Sequence, residues 1–373
     1  MEKKTLQILV VAAVVIGAAA LFLLSREQAA WTPQRAAGQK ILGDFDPNAV
    51  ARMVVKTATG TMALAREGET WVVPERGNYP ANFTAVSDAI RKLWELKAVQ
   101  EVRAGPSQFP RLQLVEPADG AKDSGTLVDL IDAGGKRITA IILGKNSFLG
   151  QTDEGGAGGY PNGRFVRSAT AQGQAYLVAE TFSVLEPKPE NWILRDFVRP
   201  DSLRSISMTG SKLGEEWTVT RENANAEWKL SDPKPDEKPD AAKLSSLPRS
   251  LPSLTVYDVT APGATVPGMD KARTLTVQTF DGFTYTFRLG QADGDKLPVT
   301  VTTAADLPTA RTPATDEKPE NKEALDKAFQ ENLTRLRAKL DAEKKFEGRT
   351  FWLPSYTFQQ ILRDRADLMA APA

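Results

Sequence analysis

The side chains that could carry chemistry in this sequence are carboxylates, hydroxyls, lysines and aromatic rings, because its 373 residues include no histidine and no cysteine. Without histidine, the commonest general base and transition-metal ligand is missing. Without cysteine, there are no disulfides, thiol nucleophiles or thiolate metal sites. Carboxylate catalysis, Ser-Lys pairs and oxygen-ligand cation sites remain, but the sequence has no motif for any of them. We therefore expect a non-enzymatic protein with no catalytic residue, no cofactor and no metal.

Nucleotides and nucleic acids are also poor candidates for ligands. The glycine-rich segment Gly150–Gly163 contains no Gly-Lys-Ser or Gly-Lys-Thr tripeptide, which a phosphate-binding loop needs at the start of its helix. Lysine plus arginine and aspartate plus glutamate number 47 each, so no net positive charge attracts DNA or RNA. We interpret the glycine-rich segment as a loop between strands.

The first element that positions the rest of the chain is an uncharged, apolar run at residues 6–24. As a helix it would be about 28 Å long, close to the hydrocarbon thickness of a bilayer, so we predict one transmembrane anchor. A cleaved signal peptide is the alternative, but its apolar stretch is normally shorter and no good cleavage site follows. A lipoprotein signal is excluded because it requires a cysteine. The anchor positions are Leu6, Ile16, Gly17 and Leu24.

The topology of this anchor follows from its flanks. Lys3 and Lys4 precede the run, and the usual orientation of such an anchor leaves residues 1–5 in the cytoplasm. The bulk of the chain would then lie outside the cytoplasmic (inner) membrane, in the periplasm of a Gram-negative cell. Residues 25–43 form the predicted linker to this extracytoplasmic body.

The extracytoplasmic body has the pattern of two tandem copies of one β-rich unit, at residues 44–190 and 196–362, followed by a tail at 363–373. Each copy opens on Asp-Phe, continues with two alternating segments that predict half-buried strands, and reaches a tryptophan strand at Trp71 or Trp228. This repeated order predicts a duplicated α+β unit in which both tryptophans are core residues.

A helix and a hairpin follow the tryptophan in each copy. Apolar spacing predicts a helix over Val86–Leu96 in the first copy, whereas Pro248 and Pro252 predict a short or broken helix in the second. A strand pair that ends in Leu-Gly and turns at glycine then predicts a hairpin. Both copies close on aromatic-Leu-x-x-x-Thr-Phe, at 176–182 and 352–358. The predicted hairpin strands are 126–132 with 137–144, and 273–279 with 284–290.

The second copy contains a stretch at about residues 304–348 that the first copy lacks. Apolar residues at three- and four-residue steps within its charged sequence predict a long amphipathic helix over Glu320–Phe346. The apolar stripe, which is also the predicted partner-binding surface, consists of Leu325, Phe329, Leu333, Leu336 and Leu340. Because this stripe is narrow, it suits packing on one surface, either its own domain or a partner protein. The glycine-rich segment occupies the corresponding place in the first copy.

Several of these features, in this order, resemble the bacterial family called domain of unknown function 4340. They are the N-terminal anchor, Thr70–Val73, Tyr79-Pro80-Ala81 with the helix to Leu96, Ile142–Gly144, Arg164–Arg167 and Tyr176–Val178. The resemblance implies an extracytoplasmic protein, often encoded beside exporter subunits similar to the gliding-motility type of ABC transporter. It carries over no catalytic residues. The helical insertion and the proline-broken second helix depart from the family pattern.

We therefore predict an α+β body on one membrane helix, which serves as an accessory or scaffold subunit of an ABC-type, gliding-like transport complex. Its partners would be the lipid bilayer and the transporter subunits. A module that binds cell-wall or surface polysaccharide is the alternative, and it would need Trp94, Trp192 or Trp352 on an accessible face. A carboxylate hydrolase would need two acidic side chains about 5–10 Å apart in a cleft, and no pattern favours one.

Overall fold

A computed structural model describes residues 37–118, 120–149, 160–170, 174–210, 216–313 and 317–371. These residues form a mixed α+β protein with two β-sheets and few helices, as predicted for the extracytoplasmic body. The predicted membrane anchor, with Leu6, Ile16, Gly17 and Leu24, lies outside the described residues. Within them, no helix combines the length and the apolar character that crossing a bilayer requires.

Two compact units contain the regular elements. One holds the chain up to Arg66 and Thr84–Lys188, and the other holds Glu67–Phe83 and the chain from Pro189 onward. In chain order, the strands and α-helices of the described residues are β1 (Arg52–Lys56), β2 (Thr61–Glu67), β3 (Thr70–Val73), β4 (Tyr79–Pro80), α1 (Phe83–Trp94), β5 (Gln100–Val102), β6 (Thr126–Ile131), β7 (Arg137–Leu149), β8 (Tyr160–Ser168), β9 (Ala175–Val178), β10 (Leu203–Thr209), β11 (Trp217–Thr220), β12 (Lys229–Leu230), α2 (Ala241–Ser246), β13 (Asp258–Val259), β14 (Arg273–Thr279), β15 (Phe283–Leu289), β16 (Lys296–Ala305), α3 (Lys322–Lys344) and β17 (Phe351–Pro354).

The strands of the first unit form an antiparallel sheet in the order β2-β1-β6-β7-β8-β9-β5. In β1, Met53 and Val55 are fully buried between more exposed neighbours, which is the period-two pattern of a strand with one face on a core. Part of this core is a cluster of apolar side chains, namely Phe109, Leu114, Leu127, Ala140, Ile142 and Ala175.

The strands of the second unit form an antiparallel sheet in the order β12-β11-β10-β14-β15-β16-β17-β13. From β11 to β13, its seven strands follow the same order as the seven strands of the first unit. Every second residue of β15, from Phe283 to Phe287, is fully buried. Trp71 and Trp228 are buried as well, which confirms their prediction as core residues.

The two hairpins predicted from Leu-Gly endings and glycine turns are confirmed. Strand β6 pairs with β7, and β14 pairs with β15, both antiparallel. Gly135 and Gly282 lie in the connecting turns with φ of 81° and 85°. Glycine suits these positions because a side chain strains a positive φ, and the turn chemistry therefore defined both hairpins locally.

Segment Glu67–Phe83, which the sequence analysis assigned to the first copy, groups with the second unit. The Arg76 guanidinium donates to both carboxylate oxygens of Asp258, at 2.7 and 2.8 Å. The Arg349 guanidinium donates to the backbone carbonyls of Arg76 and Gly77, each at 2.8 Å. These charge-assisted hydrogen bonds attach the turn between β3 and β4 to β13 and to the residues before β17.

The helices follow their sequence patterns. Helix α1 buries Val86, Ile90 and Leu93 along one face, as the spacing predicted. Helix α2 is only 6 residues long and continues as a 3-10 helix over Leu247–Ser253. Pro248 lies where the helix type changes and lacks the amide hydrogen that another α-helical turn would use. The predicted short or broken second helix is therefore confirmed.

The glycine-rich segment and the helical insertion do not occupy corresponding places. Residues 150–159, which lie outside the described residues, connect β7 to β8, whereas α3 lies between β16 and β17. Since β16 and β17 match β8 and β9 in strand order, the counterpart of the insertion is the short connection at residues 169–174. The predicted correspondence between Gly150–Gly163 and the insertion is therefore wrong.

The C-terminal residues 363–371, which the sequence analysis set apart as a tail, pack against the second unit. Leu368 is fully buried. The Arg365 guanidinium donates to both carboxylate oxygens of Glu237, each at 2.8 Å. Hydrogen bonds from Arg365 lower the pKa of Glu237 to about 2, because they stabilise the ionised carboxylate. A paired carboxylate and a buried leucine thus hold this segment in place.

Candidate partner-binding surface

Helix α3 carries every partner-binding residue predicted from the sequence. It extends over Lys322–Lys344, and a 3-10 turn at Pro319–Asn321 leads into it, so the long helix predicted over Glu320–Phe346 is confirmed. The sequence favours this helix because it is rich in alanine, leucine, lysine and glutamate and contains neither proline nor glycine.

The C-terminal half of α3 packs on its own unit. Leu333 and Leu336 expose 4% and 5% of their surface, and the helix lies against β16. Leu340, one turn further along, is partly buried. Burying each of the two leucines contributes about 1.5–3 kcal/mol. For this half of the stripe, the structure selects the first of the two predicted alternatives, packing on its own domain.

A buried carboxylate completes this contact. Glu343 lies on the same face as Leu336, two helical turns later, and accepts hydrogen bonds from the Tyr285 hydroxyl at 2.8 Å and the Arg199 amide at 2.9 Å. Lys339 Nζ lies 3.2 Å from Glu343 Oε1, the oxygen that also accepts from the Arg199 amide. Burial raises the pKa of the Tyr285 hydroxyl, and the nearby Glu343 carboxylate raises it further. Tyr285 therefore stays neutral and donates a hydrogen bond to the carboxylate.

Aromatic rings hold the residues that follow α3. The Phe346 ring lies 5.3 Å from the ring of Phe197 and 5.8 Å from that of Phe351, both in T-shaped geometry. The Glu347 carboxylate accepts a hydrogen bond from the Thr303 amide at 2.9 Å. Aromatic contacts of this kind add to the burial energy, so the end of the helix has a defined position on the second unit.

The N-terminal half of α3 leaves the predicted stripe partly open to solvent. Leu325 exposes 43% of its surface, and Phe329 is only partly buried. Arg311, in the connector before the helix, donates to Glu317 and Asp326 at 2.7 Å each. These hydrogen bonds raise the pKa of Arg311. A polar contact therefore holds the first turns of α3, while the apolar side chain of Leu325 remains accessible.

The tryptophans required by the polysaccharide alternative do not form an open surface. Trp192 is fully buried, and Trp94 and Trp352 are partly buried. The Lys40 ammonium also lies 4.5 Å from the centroid of the Trp94 ring. None of the three presents a whole ring face for stacking on a sugar.

Sequence reasoning missed Glu343 as part of this surface. The sequence did indicate this position, because Glu343 follows Leu336 at helical spacing. Glu343 therefore lies on the apolar stripe of the helix and not on its charged face. A carboxylate at a buried position requires donors. Those donors come from Tyr285 and Arg199, which are distant in sequence and therefore could not be identified from the helix pattern.

Acidic side chains are also where an oxygen-ligand cation site would be expected. In the part of the chain that the structure describes, no group of three or more histidine, cysteine, aspartate or glutamate side chains is arranged to hold a metal ion. Glu343, the most buried of the described carboxylates, uses both oxygens to accept hydrogen bonds from protein donors.

Comparison with known proteins relates the chain to a family. The family model described as Domain of unknown function (DUF4340) matches residues 71–276, which extend from β3 into β14. No curated protein and no solved structure matches the chain. Since the family match covers more than half of the 373 residues, the protein belongs to the DUF4340 family.

Proposed function

We propose that this protein is a non-enzymatic, extracytoplasmic accessory or scaffold subunit of an ABC-type, gliding-like transport complex, anchored in the cytoplasmic membrane by residues 6–24. The proposal rests on the difference in burial between the two halves of α3. Leu336 in the C-terminal half is buried on the second unit, whereas Leu325 near the N-terminal end is exposed. A helix that is already ordered at one end loses little conformational entropy when its other end binds a partner.

The exposed end of α3 suits an apolar groove on another protein. Ala324 and Ala328 are exposed beside Leu325, and the charged residues Glu323 and Lys327 flank them. An amphipathic helix of this kind docks through its apolar side chains, while flanking charges favour one orientation. An extracytoplasmic domain of a transporter subunit fits as the partner, because the anchor would keep both proteins at the same membrane.

We also propose that the body arose by duplication of one α+β unit. The shared order of seven strands supports this, as does the Leu-Gly pair of both hairpins, which lies within β7 at Leu143-Gly144 and at the end of β15 at Leu289-Gly290. On this proposal, α3 is an addition to the second copy, and its role as a docking element is specific to that copy.

The polysaccharide-binding alternative has weaker support. Burial removes Trp192 from the candidate stacking residues, and Trp94 and Trp352 offer only part of a ring. The exposed rings of Tyr160 and Tyr356 are the better candidates for sugar stacking under this alternative.

Site-specific photocrosslinking in cells tests the accessory role. A photoreactive residue at Leu325 is compared with one at Arg337, which is exposed in the C-terminal half of α3. We expect Leu325 to crosslink to a transporter subunit and Arg337 not to. Leu325→Glu should then reduce co-purification of that subunit from solubilised membranes, and Arg337→Glu should leave it unchanged.

Two outcomes would contradict the proposal: recovery of the protein alone from both crosslinking positions, or equal crosslinking of the same subunit from both. Sedimentation of the purified protein with isolated cell-wall polysaccharide tests the alternative separately. Loss of that binding in Tyr160→Ala or Tyr356→Ala, with no crosslinked protein partner, would favour polysaccharide recognition.

A further inference from the structure

A cavity of about 320 Å³ lies at one end of the sheet in the first unit. It forms where β1 ends, β6 begins, and β7 and β8 pair across a register shift. Its polar lining consists of Gln113, Lys122, Arg164 and four hydroxyl side chains, those of Thr57, Thr59, Ser124 and Thr126. None of the described residues that line it is acidic. The described lining of the cavity therefore carries a net positive charge, from Lys122 and Arg164.

Backbone groups form part of the wall of this cavity because two glycines leave no room for side chains. A Cβ atom on Gly125 would lie 2.3 Å from the Gln113 carbonyl oxygen, and one on Gly144 would lie 2.3 Å from the Leu112 carbonyl oxygen. The register of β7 on β8 shifts just after Leu143, next to the second glycine. Such irregularities in a sheet commonly lie beside binding and active sites.

Arg164 on β8 brings a positive charge to the cavity and donates mainly to backbone carbonyls. Its Nε donates to the Gly144 carbonyl at 2.7 Å, and its Nη1 donates to the Thr181 carbonyl at 3.0 Å. Within the described ranges, Nη2 has no acceptor and no carboxylate lies at ion-pair distance. Burial lowers the pKa of Arg164, and the Glu186 carboxylate opposes this only in part. The guanidinium is thus held rigidly, with donor capacity left for a ligand.

Two further lining residues are available to a ligand. The Lys122 side chain is exposed, and its ammonium has no hydrogen-bond or ion-pair partner among the described residues. Gln113 has a φ of 55°, which is uncommon for a residue with a side chain. Residues held in such conformations concentrate at binding and catalytic sites. Lys122 adds a second positive charge to that of Arg164, and Gln113 adds an amide donor.

The second unit demonstrates that this strand order does not require the charge. In the first unit, Leu143 pairs with Val166, and Arg164 lies two residues before that valine on β8. In the second unit, Leu289 pairs with Val299, and Leu297 lies two residues before that valine on β16. Leu297 is buried, with 1% of its surface exposed. Beside Gly290, Met269 and Pro298 fill the space, because a Cβ on that glycine would lie 2.8 Å from each. The sheet therefore forms equally well with an apolar residue at the position of Arg164.

We propose that the cavity binds a small oxyanion that carries a carboxylate or phosphate group, with Arg164 and Lys122 as its charged ligands. Guanidinium groups match the geometry of both anions, and an anion would add a negative charge to a cavity in which none of the described lining residues is acidic. The volume falls in the range of small-molecule sites and exceeds what a single inorganic ion needs. This site is independent of the proposed role in a transport complex.

Isothermal titration calorimetry of the full chain in detergent micelles tests this site. Inorganic phosphate and succinate serve as separate probes at constant ionic strength. We expect saturable binding of at least one probe; binding of phosphate alone identifies a phosphate group as the ligand, and binding of succinate alone identifies a carboxylate. Arg164→Met should weaken binding at least about tenfold, since it removes a charge-assisted hydrogen bond. Lys122→Gln should weaken it about threefold.

Lys136→Gln is the matched control, because Lys136 is an exposed lysine in the turn at the far end of β6 and should not affect binding. Arg164→Met also removes hydrogen bonds to three backbone carbonyls, which lowers stability. Lys122→Glu, a charge reversal at an exposed residue, should therefore abolish binding with an unchanged melting temperature. The proposal is overturned if neither probe binds saturably by about 10 mM, or if Lys122→Glu binds as the wild type does.

Discussion

The two sheets of this protein share a strand order, yet the space beside the Leu-Gly pair is used differently in each unit. In the first unit, Gly144 borders a cavity that is also lined by Arg164. In the second unit, Met269 and Pro298 fill the space beside Gly290. In both units, neighbouring atoms approach the glycine closely. Only the first unit has a charged side chain at this place, that of Arg164.

The second difference is the connection between the last two matching strands. Residues 169–174 suffice between β8 and β9, whereas α3 and its flanking residues lie between β16 and β17. Connections tolerate such additions because they change few core contacts, and they often carry the interactions that distinguish related units. Each unit therefore has one distinguishing feature, a charged cavity in the first and a long helix with a partly exposed apolar stripe in the second.

The largest expected effect lies in the helix that the first unit lacks. Leu336→Ala should lower the free energy of unfolding of the second unit by about 3 kcal/mol, because it removes buried atoms and leaves a void. Leu325→Ala, on the same stripe but exposed, should change it by less than about 0.5 kcal/mol. Hydrogen exchange of the β15 and β16 amides measures both. Equal losses would mean that the two halves of α3 do not differ as described.

The two Leu-Gly glycines should respond unequally to substitution. Gly144→Ala should destabilise the first unit by about 2–3 kcal/mol, because the new methyl group would meet a backbone carbonyl at 2.3 Å. Gly290→Ala should cost about 1 kcal/mol, because one obstructing atom is the movable sulfur of Met269 at 2.8 Å. Urea unfolding, with hydrogen exchange to assign each unit, compares them. A larger loss of stability for Gly290→Ala than for Gly144→Ala would contradict the described difference between the two units.

A smaller effect is expected from the buried carboxylate under α3. Glu343→Gln keeps the shape of the side chain but weakens its hydrogen bonds to Tyr285 and Arg199, so it should cost about 1–2 kcal/mol. Glu331→Gln is the control, because Glu331 is exposed and its ion pair with Lys327 is 3.9 Å long. Thermal melting of both variants measures this loss of stability. A loss no greater than that of the control would show that Glu343 is dispensable.

The smallest effect should depend on pH and concerns the C-terminal segment that packs on the second unit. Glu237 has a pKa of about 2 in the folded protein and about 4.3 in an unfolded chain. Its pairing with Arg365 therefore stabilises the fold above about pH 4.3, and this contribution disappears as the pH falls through about 2. Glu237→Gln should lower the melting temperature at pH 7 and converge with the wild type in acid.

The exposed residue Glu69 provides the control for this titration. Glu69→Gln should follow the wild-type melting curve at every pH, because substitutions at exposed turn residues such as Glu69 cost little. A constant difference between Glu237→Gln and the wild type from pH 7 to the acid limit of folding would contradict the role of the ionised carboxylate.

Strand pairing corrects one correspondence drawn from the sequence. The shared ending of the two copies aligns Tyr176 with Trp352, but Tyr176 pairs with Val166 and it is Phe351 that pairs with the matching Val299. Because successive side chains point to opposite faces of a strand, an offset of one residue exchanges the two faces. A motif of similar letters could not reveal this, since the register depends on a partner strand.

Short-range patterns determined most of the elements. Glycine turns defined both hairpins, prolines shortened α2, and helical spacing located α1 and α3, because each of these depends on residues that are neighbours in the chain. The absence of histidine and cysteine also limited the available chemistry from the outset. The order of features was sufficient to indicate the family.

Only the tertiary structure decided which half of α3 is buried, where segment Glu67–Phe83 belongs, and that the Arg164 guanidinium donates to the Gly144 carbonyl. These properties depend on residues far apart in sequence, such as Glu343 with Tyr285 or Arg76 with Asp258. The physical reason is that periodicity fixes which face of an element is apolar, whereas burial and charge pairing depend on which other element covers that face.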